Sequence, residues 1–224
     1  MNFVPKIVKD AVPGVDIAND PSALDTFLHD HCAAAILRKQ TPDRVQSWLN
    51  ALEPEQLPRG RVILPPSAVA ETLGHLCDIA GLPAGPERNW LEADIDDLAQ
   101  TFAKLMEARF LRLRLDVITT NACRRFHVDA ITARLICTYR GTGTQYGIAT
   151  DPSGPKDIYT VETGAPILLR GTLWPETPSS GLLHRSPPIE GTGEARLVLV
   201  LDKVDDPADE AEHLVGIPAD ETRH

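Results

Sequence analysis

Between Trp90 and Phe110, the residues Leu91, Ile95, Leu98, Phe102, Leu105 and Met106 return at three- and four-residue steps with polar residues between them. That period lays one apolar stripe along a helix and turns it toward a core. Upstream, TPDRVQSWLNAL reads as a helix with Thr41 at the N-cap and Pro42 at the first helical position. PPSAVAETLGHLCDIAGLP reads as another, closed by Gly81 and stopped by Pro83. After Arg109 the period drops to two. Leu111, Leu113, Leu115 and Val117 alternate with Arg112, Arg114, Asp116 and Ile118, the mark of a half-buried strand. ARLICTYR, DIYTV, APILLRG, GLLHRS and ARLVLVLD follow as short strands between turns rich in Gly, Pro and Ser. Short strands at near-regular spacing predict an antiparallel sandwich or barrel.

The expected fold class is therefore α+β, a helical N-terminal half followed by a β-rich half. Residues 1–20 are expected as an N-terminal arm, 21–110 as a helical region packing on the barrel, and 111–204 as the β domain. Residues 205–224 form an acidic tail, rich in Pro, Asp and Glu and without periodicity, expected to be mobile or loosely docked.

Composition narrows the class. A chain of 224 residues buries roughly 70% of its unfolded surface and needs no disulfide or metal staple to fold. No apolar run approaches the ~20 residues that span a bilayer, and the first residues do not read as a secretion signal, so a cytoplasmic location is expected. The four cysteines are scattered and form no C-x-x-C pair, which excludes a zinc ribbon or finger and suits buried thiols. A net charge of −10 argues against nucleic acid as a partner, because phosphate binding needs a basic footprint.

The chemistry concentrates in CRRFHVDAITARLICTYRGTGTQY, residues 123–146. His127 and Asp129 are two residues apart, so on an extended segment they share a face. They are either part of a metal site or a polar pair on the wet side of a strand. Two imidazoles and one carboxylate can take one face of an octahedral ion and leave the other open, as in the facial triad of non-haem Fe(II) oxygenases. His184, 55 residues beyond Asp129, is the candidate third ligand. Arg196, 12 residues beyond His184, heads the last strand and could hold a carboxylate bidentately. In the plainer alternative, His127 caps a strand, His184 bonds a turn, and Arg196 is a solvent-facing or salt-bridged strand residue.

The order H-x-D, then a strand ending in tyrosine and a Gly-rich turn, then G-x-x-L-L and H with a basic residue downstream, resembles the Fe(II)/2-oxoglutarate dioxygenases. The likeness is to their prolyl-hydroxylase-type branch, whose core is a cupin-like double-stranded β-helix, and it covers residues 111 to 202. The wording CRRFHVD…RLICTYRGTGTQY…LLRG…HRSPP…RLVLVLD is also similar to a bacterial domain-of-unknown-function family (eighteen-twenty-six). The resemblance implies His127, Asp129 and His184 as metal ligands, Arg196 as the anchor of a co-substrate carboxylate, and Tyr139 as a hydrogen-bond donor to the same group. It implies Fe(II), 2-oxoglutarate as co-substrate, and hydroxylation of a small molecule or a side chain. The same three ligands would also suit Zn2+ in a cupin-like hydrolase, isomerase or metal-responsive binding protein without 2-oxoglutarate. The helical half would buttress the barrel or make a homodimer contact.

Overall fold

The computed structural model describes residues 6–7, 12–175 and 181–208. In chain order its regular elements are β1 (Lys6–Ile7), β2 (Val15–Ala18), β3 (Ala34–Leu37), α1 (Asp43–Ala51), β4 (Gly60–Leu64), α2 (Val69–Ile79) and α3 (Pro86–Leu105). The strands β5 (Phe110–Ile118), β6 (Ala133–Arg140), β7 (Gln145–Ile148), β8 (Tyr159–Thr160), β9 (Pro166–Arg170), β10 (Leu182–Arg185) and β11 (Arg196–Val204) follow. Seven strands form one sheet in the order β2-β3-β9-β6-β11-β5-β4, and four form a second in the order β1-β8-β7-β10. Pairing is antiparallel except for β1 with β8 and β2 with β3.

The expectation of a helical span over 21–110 needs correcting. β3 and β4 lie inside it, and β2 lies in the expected N-terminal arm; β2 and β3 extend one end of the large sheet, and β4 closes the other. The reason is legible in β3, whose four residues, Ala34 to Leu37, are all buried. A short apolar run buried on both faces shows neither period, so alternation cannot reveal it as a strand. Residues 209–224, most of the expected tail, lie outside the described residues, as do 1–5 and 8–11 of the arm.

The helices themselves follow the sequence. Leu91, Ile95, Leu98 and Phe102 of α3 are buried against Leu111, Leu113 and Leu115 of β5 and Leu197, Leu199 and Leu201 of β11. Burying each such side chain contributes about 1.5–3 kcal/mol relative to leaving it exposed. Gly81 ends α2 at φ +70°, and its N–H and that of Leu82 bond the carbonyls of Asp78 and Cys77, a left-handed cap that suits glycine. At α1 the expected register is off by one. Pro42, not Thr41, sits at the cap position, and no side chain caps that end.

The large sheet has two unlike faces. Leu135, Cys137 and Tyr139 of β6 join the helix-side core. The alternate residues Ile136 of β6 and Val198 and Val200 of β11 face the small sheet and pack with Tyr146 and Leu182. Toward one end of β6 and β11 the ladder shifts register between Leu197 and Val198: Leu197 pairs with Arg140 and Val198 with Thr138. This β-bulge leaves Tyr139 unpaired. Between the two sheets a cavity of about 450 Å3 opens, lined by residues of β5, β6, β10 and β11 and of the segment between β5 and β6. Among the described residues no helix is long and apolar enough to cross a membrane.

Candidate metal centre

Two backbone hydrogen bonds bring distant parts of the chain together at the cavity. The His127 N–H donates to the His184 carbonyl and the His184 N–H to the His127 carbonyl, both at 3.0 Å. On its other side His184 pairs with Tyr146 of β7. Directly opposed residues of an antiparallel pair put their side chains on one face, and the two imidazole centroids stand 4.5 Å apart. Asp129 follows two residues after His127. Its carbonyl accepts from the Thr172 N–H at 2.9 Å, and Gly171 lies so close that a Cβ there would collide with the Ile131 carbonyl oxygen. Glycine lets that backbone approach and so fixes the turn that carries Asp129.

One nitrogen of each imidazole and one oxygen of the carboxylate all lie within 4.8 Å of one another. His127 Nε2 is 3.4 Å from Asp129 Oδ1, and His184 Nε2 is 3.0 Å from Asp129 Oδ2. Ligands bound at about 2.1 Å and a right angle apart are roughly 3 Å from each other, and the two imidazole–carboxylate distances are close to that value. The directions agree. His127 Nδ1 meets the Arg125 carbonyl at 2.8 Å, which assigns its proton there and leaves Nε2 a free lone pair. Asp129 Oδ2 is buried, yet no hydrogen bond reaches it in an acceptable direction, although His184 Nε2 and Arg134 Nη1 approach to 3.0 and 2.6 Å. A buried acceptor crowded by charge but unmet in direction is what a cation would satisfy. Among the described residues these three groups fit a divalent metal.

The electrostatics favour the ligand forms. Burial pulls the His184 imidazolium below its ordinary pKa and outweighs the Asp129 contact, so the ring is neutral at pH 7. Burial alone would raise the Asp129 carboxyl, but the His184 contact and the Arg134 charge hold it well below the usual carboxylate range. Arg134 is itself held by Asp202, through Nε at 2.6 Å and Nη2 at 2.9 Å. Asp202 thus fixes Arg134, and Arg134 fixes the carboxylate, an outer shell that orients the candidate ligand.

Arg196 lines the same cavity and is 1% exposed. Its Nε donates to the Thr142 carbonyl at 2.6 Å and its Nη2 to Thr138 Oγ1 at 3.3 Å. Thr142 is in turn held by Glu194, which accepts from its N–H at 2.6 Å and its hydroxyl at 2.9 Å. Gly141, at φ +80°, makes room, because a Cβ there would stand 2.8 Å from Arg196 Cγ. Among the described residues no carboxylate lies within ion-pair distance of Arg196. Burial lowers its pKa to about 10, still charged at pH 7. The Glu194 charge offsets part of that burial, but a buried cation whose direct hydrogen-bond partners are all neutral is costly unless an anion joins it.

A model of the family described as "Protein of unknown function (DUF1826)" matches residues 18–202. The chain belongs to this family. No curated protein sequence matches this DUF1826 member. Among solved structures it is similar to the dioxygenase for auxin oxidation of rice, at 12% identity and a TM-score of 0.50, over 88% of this chain and 85% of that one. It also matches dioxygenase for auxin oxidation 1 of Arabidopsis thaliana in its 2-oxoglutarate complex, at 10% identity and a TM-score of 0.46, over 95% and 100% of the two chains. A Pseudomonas putida prolyl-4-hydroxylase matches at 14% identity and a TM-score of 0.42, over 83% and 99%. The rice likeness shows that the DUF1826 chain has a mixed helix and strand fold with a large sheet, like that of the rice dioxygenase.

Of the five site residues expected from sequence, four meet at the cavity and Tyr139 does not. Tyr139 is fully buried on the helix side of the large sheet, where its hydroxyl donates to Asp94 Oδ2 at 2.6 Å and its ring meets Trp90 edge-on. Parity along β6 puts Arg134, Ile136 and Thr138 toward the cavity and Leu135, Cys137 and Tyr139 away from it. Thr138 is the residue that reaches Arg196. Arg134, Asp202 and Thr142 were not singled out by sequence, and the β6 alternation was the signal available for Arg134 and Thr138. Cys123, expected as a buried thiol, is exposed at the cavity.

Proposed function

We propose that this protein is a mononuclear non-haem Fe(II)/2-oxoglutarate-dependent oxygenase, with His127, Asp129 and His184 as metal ligands and Arg196 as the co-substrate anchor. The observation that carries the reading is the pairing, in one cavity, of a two-histidine, one-carboxylate set with a buried arginine that has no carboxylate within ion-pair distance among the described residues. From β5 onward the chain crosses between the two sheets, with β5, β6, β9 and β11 in the large one and β7, β8 and β10 in the small one. On this reading these strands form a double-stranded β-helix core. Iron held by His127, Asp129 and His184, with 2-oxoglutarate on Arg196, would supply the oxidising chemistry: the keto acid would be split to succinate and CO2, with one oxygen atom of O2 going to the succinate and the other to the substrate.

The chain's own residues position and select. Arg196 presents the N–H groups not used by Thr142 and Thr138 to a carboxylate as a planar fork. Arg134 and Asp202 orient the Asp129 carboxylate, and the Arg125 carbonyl fixes the His127 tautomer. Val198, Val200 and Ile136 supply the apolar wall that keeps water from the reacting groups. A zinc site without 2-oxoglutarate would use the same three donors, but it gives Arg196 nothing to do.

The test is turnover. Protein loaded with Fe(II) in air should convert 2-oxoglutarate to succinate slowly even without a substrate, and His184→Ala should abolish it. Tight metal binding with no succinate formed, with or without candidate substrates, would move the reading to the zinc type.

A further inference from the structure

Arg114 is a cavity residue with no assigned task. It lies on β5 and lines the cavity beside the candidate metal centre. Among the described residues it makes no ion pair, and its buried Nε has no hydrogen-bond partner. Across the β4–β5 ladder its direct neighbour is Arg61, and like charges directly opposed on a sheet repel. The nearby carboxylates are already committed or out of reach. Asp202 is held by Arg134 and Arg112, Asp129 belongs to the metal set, and Asp116, which also lines the cavity, forms no ion pair with Arg114. Burial, and after it the Arg134 charge, depress the Arg114 pKa against the pull of Asp202 and Asp116. A guanidinium nevertheless stays protonated, so the site holds a cation with no direct ion-pair partner among the described residues. The chain as a whole has a net charge of −10, and its cations at this cavity are therefore a local departure.

We infer that Arg114 is a specificity-determining residue for the substrate, and that it binds an oxyanion, a carboxylate or a phosphate monoester, on a small molecule. Among the described residues Arg185 and Arg196 also line the cavity without a carboxylate partner. The proposed function assigns Arg196 to the co-substrate, and Arg185 donates its Nε to Gln145 at 2.9 Å and lies over the Phe126 ring. Arg114, whose Nε has no partner, remains for the substrate. The inference rests on that reading. A guanidinium fork matches either oxyanion bidentately. The cavity volume of about 450 Å3 falls within the ~300–1,000 Å3 of small-molecule sites, which favours a free metabolite over a protein side chain. Asp116, two residues along the same face, would repel a second anion and accept from an amine or hydroxyl on the same molecule.

The experiment is anaerobic calorimetry on Fe(II)-loaded full-length protein with 2-oxoglutarate present, using hexanoate, hexyl phosphate and uncharged hexanamide as probes. At least one anion should bind the wild type and hexanamide should not; the carboxylate and phosphate arms identify the preferred oxyanion. Arg114→Gln should weaken that binding about tenfold or more, the loss expected for a charge-assisted contact, and Arg114→Lys should fall between. In both variants the iron–2-oxoglutarate absorption band should persist. Equal binding of anions and hexanamide, or unchanged anion affinity in Arg114→Gln, would overturn the inference. So would loss of the band in Arg114→Gln, which would make Arg114 a co-substrate residue. A wild type with no band whose oxyanion binding is lost in Arg114→Gln would sink the oxygenase reading and leave the anion site standing.

Discussion

The two faces of the large sheet are made by the same strands and have opposite tasks. On β11, Leu197, Leu199 and Leu201 face the helices, while Arg196, Val198 and Val200 face the cavity. On β6, Tyr139 completes the helix-side core one residue away from Thr138, which steadies Arg196. Because side chains alternate strictly, a one-residue slip would bury the cavity's charged groups against α3 and expose the leucines to the cavity. Stability and chemistry are thus separated by parity rather than by domain. Each can be damaged with little effect on the other.

The sharpest break is Leu199→Ala. Removing this buried side chain should cost about 2–5 kcal/mol and lower the melting temperature, while 2-oxoglutarate affinity of the folded protein stays within about twofold. Arg196→Met, three residues away on the same strand, should do the reverse, because it removes a buried cation without a carboxylate partner. At the metal centre, Asp129→Ala should weaken Fe(II) binding by more than the ~100-fold that loss of an outer-shell partner costs, and Arg134→Gln by about 10–100-fold. Metal titration followed by equilibrium dialysis reads both. Tyr139→Phe should cost about 1 kcal/mol by losing its bond to Asp94 and leave co-substrate affinity unchanged; a drop in that affinity would erase the distinction between the faces.

The smallest effect is with pH. His184 has a folded pKa below its unfolded value of about 6.5, so the folded state binds fewer protons and stability falls as pH drops through that value. Asp129, also depressed, adds a loss at lower pH, starting in the usual carboxylate range and continuing below it. Metal-free protein should melt earlier at pH 5 than at pH 7, and iron should be released over the same window because protonated imidazole cannot ligate.

Much of this was legible in the sequence, and the exceptions have physical causes. The stripe of α3 and the alternation of β5, β6 and β11 carry a clear period, and their elements formed where expected. β2, β3 and β4 are short, and β3 is buried throughout, so the N-terminal half conceals part of the sheet behind its helices. The i, i+2 spacing of His127 and Asp129 pointed to their shared face, but the mutual backbone bonds that bring in His184 span 57 residues and leave no local mark. Tyr139 was expected at the site because of its place before the Gly-rich turn; strand parity and the bulge beside it send its ring to the other face. Arg112, Arg114 and Asp116 read as the wet side of β5. For Arg114 and Asp116 that side is the cavity wall.

On the oxygenase reading the cavity face holds Fe(II) and 2-oxoglutarate together, with Arg196 on the co-substrate. The most direct measurement adds Fe(II) to metal-stripped protein without oxygen, then 2-oxoglutarate, and follows the weak visible charge-transfer absorption of the chelate. The account predicts a band in the wild type that is lost in Arg196→Met at the same 2-oxoglutarate concentration, with iron still bound in both. Iron bound through His127, Asp129 and His184 with no band in the wild type, or a band indifferent to Arg196, would contradict it.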